Sequence, residues 1–187
     1  MILPIVAYGD PVLKKKTDPI DKDYPELDTF IANMWETMYK ANGVGLAAPQ
    51  VGKSIRLFII DASAFEDEDP GLANFKKVFI NAQILEQSGQ QWLFNEGCLS
   101  FPELREDIYR QPNITISYQD ENFEHHQEQY SGVAARIIQH EYDHIQGVLM
   151  VDHLSPLKKQ LIKKKLSNIS KGMVKADYLM RFPMKKR

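Results

Sequence analysis

Apolar residues recur at Leu27, Phe30, Ile31, Met34 and Met38, a spacing of three and four that draws one stripe down a helix running toward Asn42. Asp23 or Tyr24 lies just outside its start, and Pro25 falls near the first turn, where a proline is tolerated. Gly43 and Gly45 are expected to stop it. Residues 55–60, 77–81 and 114–118 are short runs rich in β-branched and aromatic side chains and read as strands. Between the first two strands lies a loop, 61–75, whose acidic centre Glu66-Asp67-Glu68-Asp69 predicts an exposed, mobile segment. From Gly132 to about Ile145 the pattern turns helical again, with Gly147 as its stop. Leu157, Leu161, Ile162, Leu166, Ile169 and Met173 predict a further amphipathic helix, with lysines mostly on its opposite face. Short strands with segregated helices predict an α+β fold, not a parallel βαβ one. No internal linker interrupts the chain, so residues 1–155 form a body and 156–187 a basic helical tail of the same domain.

Composition narrows the class. A chain of 187 residues, 43% of them hydrophobic, supports one domain with a core large enough to hold a rigid site. No run approaches eighteen apolar residues, which excludes a membrane helix. The opening residues lack a basic segment followed by an apolar one, so no secretory signal is read. Cys98 is the single cysteine; it excludes an internal disulfide and suits a reducing, cytoplasmic setting. Net charge is only −2, yet the tail from Pro156 holds eleven of the 23 Lys/Arg and one acid, Asp177. Such a tail either meets a polyanion or is a solvated helix face, and charge patterning leaves both open.

The chemistry centres on His140-Glu141-Tyr142-Asp143-His144. Residues four apart share a helix face, so His140 and His144 can present two imidazoles to one cation. Glu141 is rotated about 100 degrees from His140, close enough to reach a metal-bound water without being a ligand. Catalytic metals of this kind take three protein ligands, and Cys98, in Glu96-Gly97-Cys98-Leu99-Ser100, is the candidate third. The alternative for Cys98 is a small buried hydrophobe. Gly43-Val44-Gly45-Leu46-Ala47-Ala48-Pro49-Gln50 reads either as a plain helix stop or as a glycine-permitted edge beside substrate, with Gln50 as an amide donor to an oxyanion. Val133, Arg136 and Ile137 share the face of His140, and Val133 and Ile137 with Val44 and Phe94 form a candidate apolar pocket.

GVGLAAPQ at 43–50, EGCLS at 96–100 and QHEYDH at 139–144, in this order, resemble the three signature motifs of peptide deformylases. The resemblance runs loosely from Ile2 to about Leu154, including Gly9-Asp10-Pro11-Val12-Leu13 and Gly147-Val148-Leu149. It implies antiparallel sheets packed around a central metal-binding helix, in the subgroup that carries a C-terminal helix. It implies Cys98, His140 and His144 as metal ligands, with Fe²⁺ as the ion and Zn²⁺, Ni²⁺ or Co²⁺ as substitutes. Glu141 then serves as acid/base on a metal-bound water. The Gln50 side-chain amide and the Leu99 backbone N–H are the oxyanion donors, and Gly45 pairs with substrate backbone. Val44, Phe94, Glu96, Val133 and Ile137 complete the substrate-binding set. The implied reaction removes the N-formyl group from the N-terminal methionine of nascent polypeptides and releases formate. Arg105 aligns with a family arginine expected to position Glu96 or the peptide, and the peptide is expected to dock as an added strand. The basic tail is expected to contact the ribosome; neither DNA nor a membrane is an expected partner.

His125-His126 reads as an exposed turn or strand end, and His153 as a helix-flanking polar residue. The 61–75 loop is longer than in compact relatives. Two rival readings remain. A metallopeptidase cutting internal bonds also uses HExxH, but its third ligand lies downstream, where this chain offers only His153 and no Glu. A catalytically silent nucleic-acid adaptor leaves Glu141, Gln50 and the ligands without a purpose.

Overall fold

A computed structural model describes residues 1–183; residues 184–187 of the basic tail lie outside the described residues. The elements in chain order are β1 (Ile5–Val6), α1 (Leu27–Lys40), β2 (Gly45–Ala47), β3 (Leu57–Asp61) and β4 (Lys76–Ser88). There follow β5 (Trp92–Gly97), β6 (Arg105–Arg110), β7 (Asn113–Gln119), β8 (His125–Ser131), α2 (Gly132–Gln146), α3 (Pro156–Ser170) and β9 (Met180–Arg181). An antiparallel sheet has the order β2-β3-β4-β7-β8, and β5 and β6 make a separate antiparallel pair. This is an α+β architecture. The remaining pair, β1 with β9, is parallel, a feature no local pattern announced.

α1 buries Leu27, Ile31, Met34 and Met38, one side chain per turn. It starts at Leu27, two residues after Pro25, because Glu26 takes a left-handed conformation that breaks the helix before it. Its stop is also not the one expected. Asn42 adopts φ 53 and the Gly43 N–H donates to the Met38 carbonyl at 2.9 Å, so Asn42 terminates the helix and Gly45 is free to enter β2.

α2 lies across the five-stranded sheet. Ala134, Ala135, Ile137, Ile138 and Ile145 pack with Phe58, Ile60, Phe79 and Ile116 in one buried cluster. Burying each large apolar side chain contributes about 1.5–3 kcal/mol, which fixes the helix and whatever its other face carries. Gly147 closes α2 at φ 74, and a Cβ there would stand 2.7 Å from the Lys14 carbonyl oxygen.

The acidic segment is exposed as expected, and the stripe of α3 needs correction. The acidic loop keeps its Asp and Glu residues 66–69 exposed, but Leu72 and Phe75 are buried and Phe65 packs on the core. Two short 3₁₀ turns, Ser63–Phe65 and Pro70–Leu72, shape it. In α3 only Ile162, Leu166 and Ile169 make the buried stripe. Leu157 and Leu161 sit one position round the helix and are about 70% exposed, and Met173 lies beyond the helix, also exposed. No described helix is long and apolar enough to cross a membrane.

Candidate active site

The helical period sets two imidazoles on one face of α2: the His140 and His144 ring centroids are 5.3 Å apart. Cys98 enters from the turn after β5, with Sγ 3.3 Å from His144 Nε2. One ligand atom from each of the three residues falls within 4.8 Å of the others. A tetrahedral ion with one sulfur and two imidazole nitrogens has an S–N edge of about 3.6 Å, so the spacing suits a divalent metal. The charge balance suits it too. Burial works against the charged form of His140, but Cys98 and Glu96 outweigh it and push its pKa well above the ordinary value. Burial and the His140 charge push His144 down to about 3. His144 therefore stays a neutral imidazole, the form that ligates a metal.

His140 is aimed from behind. Its Nδ1 meets Glu96 Oε2 at 2.9 Å, which leaves Nε2 for the ligand side. Glu96, on β5, gives both oxygens to fixed donors. Arg110 Nε and Nη2 reach Oε1 and Oε2 at 2.7 and 3.1 Å, and Arg136 Nη1 reaches Oε1 at 2.7 Å. Burial alone would raise the Glu96 pKa; the hydrogen bonds from His140 and Arg110 reverse that and hold it far below the carboxylate range. Arg110 continues to Asp143 at 2.8 Å, and Asp143 meets His153 Nε2 at 2.8 Å. Glu96, expected among substrate-binding residues, therefore lines the cavity while its carboxylate serves His140. The arginines that hold it are Arg110 and Arg136. Arg105, expected to position Glu96 or the peptide, does not reach Glu96: it donates to the Asn95 side chain and carbonyl at 2.8 and 2.6 Å and lines the cavity where a peptide would lie. Arg110 is one residue that sequence reasoning missed; it alternates with Glu106 and Ile108 as buried positions of β6, a signal hidden by its charge.

The ligand corner opens onto a cavity of about 390 Å³ whose walls include Val44, Gly45, Phe94, Glu96, Val133 and Ile137. Phe65 from the acidic loop and Leu104 add to the wall, and neither carried a sequence signal for it. Glu141 also lines the cavity, and its Oε2 is buried without a hydrogen-bond partner among the described residues. Burial raises its pKa to about 7. Gln50 Oε1 accepts the Ala47 N–H at 2.8 Å, which turns Nε2 toward Cys98 Sγ at 3.5 Å and Ser100 Oγ at 3.3 Å. Leu99 follows Cys98 directly, so its backbone N–H is set by the same turn. β2 is the outermost strand of its sheet, with Gly45 opposite Ile60 of β3.

His153 joins the Asp143 network and stands apart from the ligand cluster. Asp120, Glu124 and His126 also lie close together, but His126 bonds Asp120 at 2.8 Å and the other Asp120 oxygen accepts the Asn122 and Glu124 N–H groups. Those contacts tie a turn between β7 and β8.

A thiol and two imidazoles converging beside a largely apolar cavity, next to a carboxyl raised toward neutral pH, equip a metal-dependent hydrolase. Comparison with known proteins narrows the class. The family model for polypeptide deformylases matches residues 2–160. A peptide deformylase of Christiangramia forsetii is 61% identical over 100% of this chain and 99% of its own. One of Cytophaga hutchinsonii is 54% identical over the whole of both chains. Among solved structures, a Legionella pneumophila peptide deformylase superposes with a TM-score of 0.80 at 35% identity, covering 92% of this chain and 98% of its own. The chain belongs to the polypeptide deformylase family, metal-dependent enzymes that remove the N-formyl group from nascent peptides.

Proposed function

We propose that Cys98, His140 and His144 hold Fe²⁺, with Zn²⁺, Ni²⁺ or Co²⁺ able to substitute, and that the chain releases formate from N-formylmethionyl peptides there. The observation that carries this reading is the convergence of the three donor atoms within 4.8 Å beside the Glu141 carboxyl. The bound ion supplies Lewis-acid activation of water near neutral pH. The chain's own residues do the rest. Glu141, with a pKa raised by burial to about 7, takes a proton from the attacking water and returns it to the departing amine nitrogen. Gln50 Nε2 and the Leu99 N–H donate to the oxygen on which charge develops, and their fixed orientation avoids reorganisation in the transition state.

Specificity is assigned to the cavity. Val44, Phe94, Val133 and Ile137 form the wall against a methionine side chain. The free edge of β2 at Gly45 takes the peptide backbone as an added strand, with Glu96 in the wall orienting His140. Backbone pairing is indifferent to side chains, as an enzyme acting on many nascent chains requires. Residues 1–155 and 156–187 are read as one domain, supported by the pairing of β9 with β1. The setting is read as cytoplasmic, and the lysines of α3 as a contact to ribosomal RNA.

The test is formate release from a formyl-Met peptide by anaerobically purified protein of known metal content. Formate at about one metal per chain, lost on Cys98→Ala, is the expected outcome. Metal-loaded protein that releases none, yet cleaves unblocked peptides internally, would transfer the assignment to a metallopeptidase.

A further inference from the structure

The turn that carries Cys98 and Leu99 is pinned by three carbonyls in succession. The Cys98 carbonyl accepts the Phe101 N–H at 2.9 Å, and the Ser100 carbonyl accepts the Tyr8 N–H at 2.9 Å. Between them, the Leu99 carbonyl accepts the Tyr178 hydroxyl at 2.8 Å. Tyr178 is the only side chain of the three donors, and it comes from a segment 79 residues away in sequence. Peptide groups are planar, so fixing a carbonyl fixes its whole plane. The Phe101 bond fixes the plane holding the Leu99 N–H, and the Tyr178 bond fixes the next. Leu99 is thereby clamped between two immobile planes, and none of the three bonds uses its N–H.

The clamp is itself held. β9 begins two residues after Tyr178 and pairs with β1, with the Ile5 N–H on the Leu179 carbonyl at 2.8 Å and the Ala7 N–H on the Arg181 carbonyl at 2.9 Å. The Tyr178 ring packs, as Leu99 does, on the buried cluster of Met38, Leu46 and Ile59. On its far side Leu99 abuts Gly43, where a Cβ would stand 2.8 Å from Leu99 Cδ1. Tyr178 thus completes a frame that links the chain's closing strand to the ligand-bearing turn.

We propose that Tyr178 is a positioning residue for deformylation, its hydroxyl holding the Leu99 peptide so that the Leu99 N–H meets the developing oxyanion. The proposal rests on the reading of the Leu99 N–H as an oxyanion donor. It assigns the segment after α3 a part in catalysis that neither the metal ligands nor the cavity wall reveals. A misaimed donor weakens transition-state binding and leaves ground-state binding alone, so the effect belongs in kcat.

The test compares wild type with Tyr178→Phe, which keeps the ring's packing and removes only the donor. In metal-loaded protein with a formyl-Met tripeptide, kcat should fall about three- to tenfold, the size of one neutral hydrogen bond. KM and metal content should stay unchanged. In zinc-loaded protein the backbone order parameter of Leu99 should drop below its wild-type value, a readout that packing alone does not move. An unchanged kcat or an unchanged order parameter overturns the proposal, as does a kcat loss matched by a rise in KM or a loss of metal. The order parameter needs no turnover, so it judges the clamp even if the wild type released no formate, a result that would instead remove the deformylase reading.

Discussion

Glu141 lies so close to Gly45 that a Cβ on the glycine would stand 2.5 Å from Glu141 Oε1 and 2.8 Å from its Cγ. The contact joins the first strand of the large sheet to the metal-binding helix at the point where proton transfer must occur. Glycine is required there for room, since its φ is ordinary.

Gly45→Ala should therefore act on Glu141. Both the alanine and the carboxyl are buried, so the carboxyl has to swing away. A displacement of about 1 Å at a reacting group costs on the order of a hundredfold. Formate release should fall by about that factor in kcat while metal content stays near one per chain. Retention of more than about a third of wild-type kcat would count against Glu141 as the acid/base.

The pH dependence of the reaction should carry the same signature. Glu141 accepts a proton only when ionised, and burial lifts its pKa to about 7. A nearby cation favours the carboxylate and lowers that value. The kcat profile should accordingly show an acid limb centred at or below pH 7, and Glu141→Ala should reduce kcat by about 10²–10⁴-fold with metal retained. Full activity in the alanine variant would assign proton transfer elsewhere.

Glu96→Gln tests the network behind His140. Arg110 and Arg136 are both about 96% buried or more, and the variant leaves Arg136 without its carboxylate while Arg110 keeps only Asp143. Breaking a buried pair in this way costs about 3–5 kcal/mol. Metal affinity should also drop by about 10–100-fold as His140 loses its orienting acceptor. Urea unfolding and competition with a metal chelator read the two effects separately. A variant as stable as wild type would show that the arginines find other partners.

Acid should unfold the protein through the same group and through Glu128. Burial would raise the Glu128 pKa, but hydrogen bonds from Tyr118, Tyr130 and Lys77 bring it down to about 2. Both folded pKa values lie below the ordinary 4.5, so the unfolded chain takes up protons first as pH falls. Their stabilisation is complete above about 4.5 and is lost progressively below it. The urea midpoint should decline from about pH 5 to pH 3, and Glu128→Gln should flatten part of the decline. A midpoint independent of pH over that interval is the contrary result.

The lysines of α3 divide by structure. Lys158 is bound to the buried Glu106 at 2.9 Å and Lys159 donates to the Asp152 carbonyl at 3.1 Å, whereas Lys163, Lys164 and Lys165 are exposed. If the tail meets ribosomal RNA, replacing these three by Glu should weaken ribosome co-sedimentation at low salt and reduce the salt slope by about two to three. An unaltered slope would remove the contact.

Where the side chains repeat with one period, the sequence disclosed the fold. The stripes of α1 and α2 and the β-branched runs of β3 and β7 are local and apolar, so burial follows directly from pattern. β8, His125–Ser131, was invisible because its seven residues are almost all polar and its partner is β7, not the core. β6 was hidden because two of its three buried positions are Glu106 and Arg110, whose burial depends on Lys158 and Glu96 far away in sequence. The site followed the same rule. Cys98, His140, His144 and Glu141 stand in recognisable motifs, while Arg110, Phe65 and Tyr178 reach the site only through tertiary packing. Leu157 and Leu161 misled for the opposite reason, since apolar spacing alone does not say which side of a helix meets a neighbour.

The parallel pairing of β1 with β9 joins Ile5 to Met180 across 175 positions of chain. Two strands of two residues offer few bonds against so wide a loop, so their closure waits until most of the intervening core exists. The ligands at 98, 140 and 144 sit on elements that need no such closure. Refolding chains should then acquire their metal-binding corner before the segment bearing Tyr178 docks, and full turnover should return later than metal affinity. Activity in this molecule is a report that the chain has closed on itself.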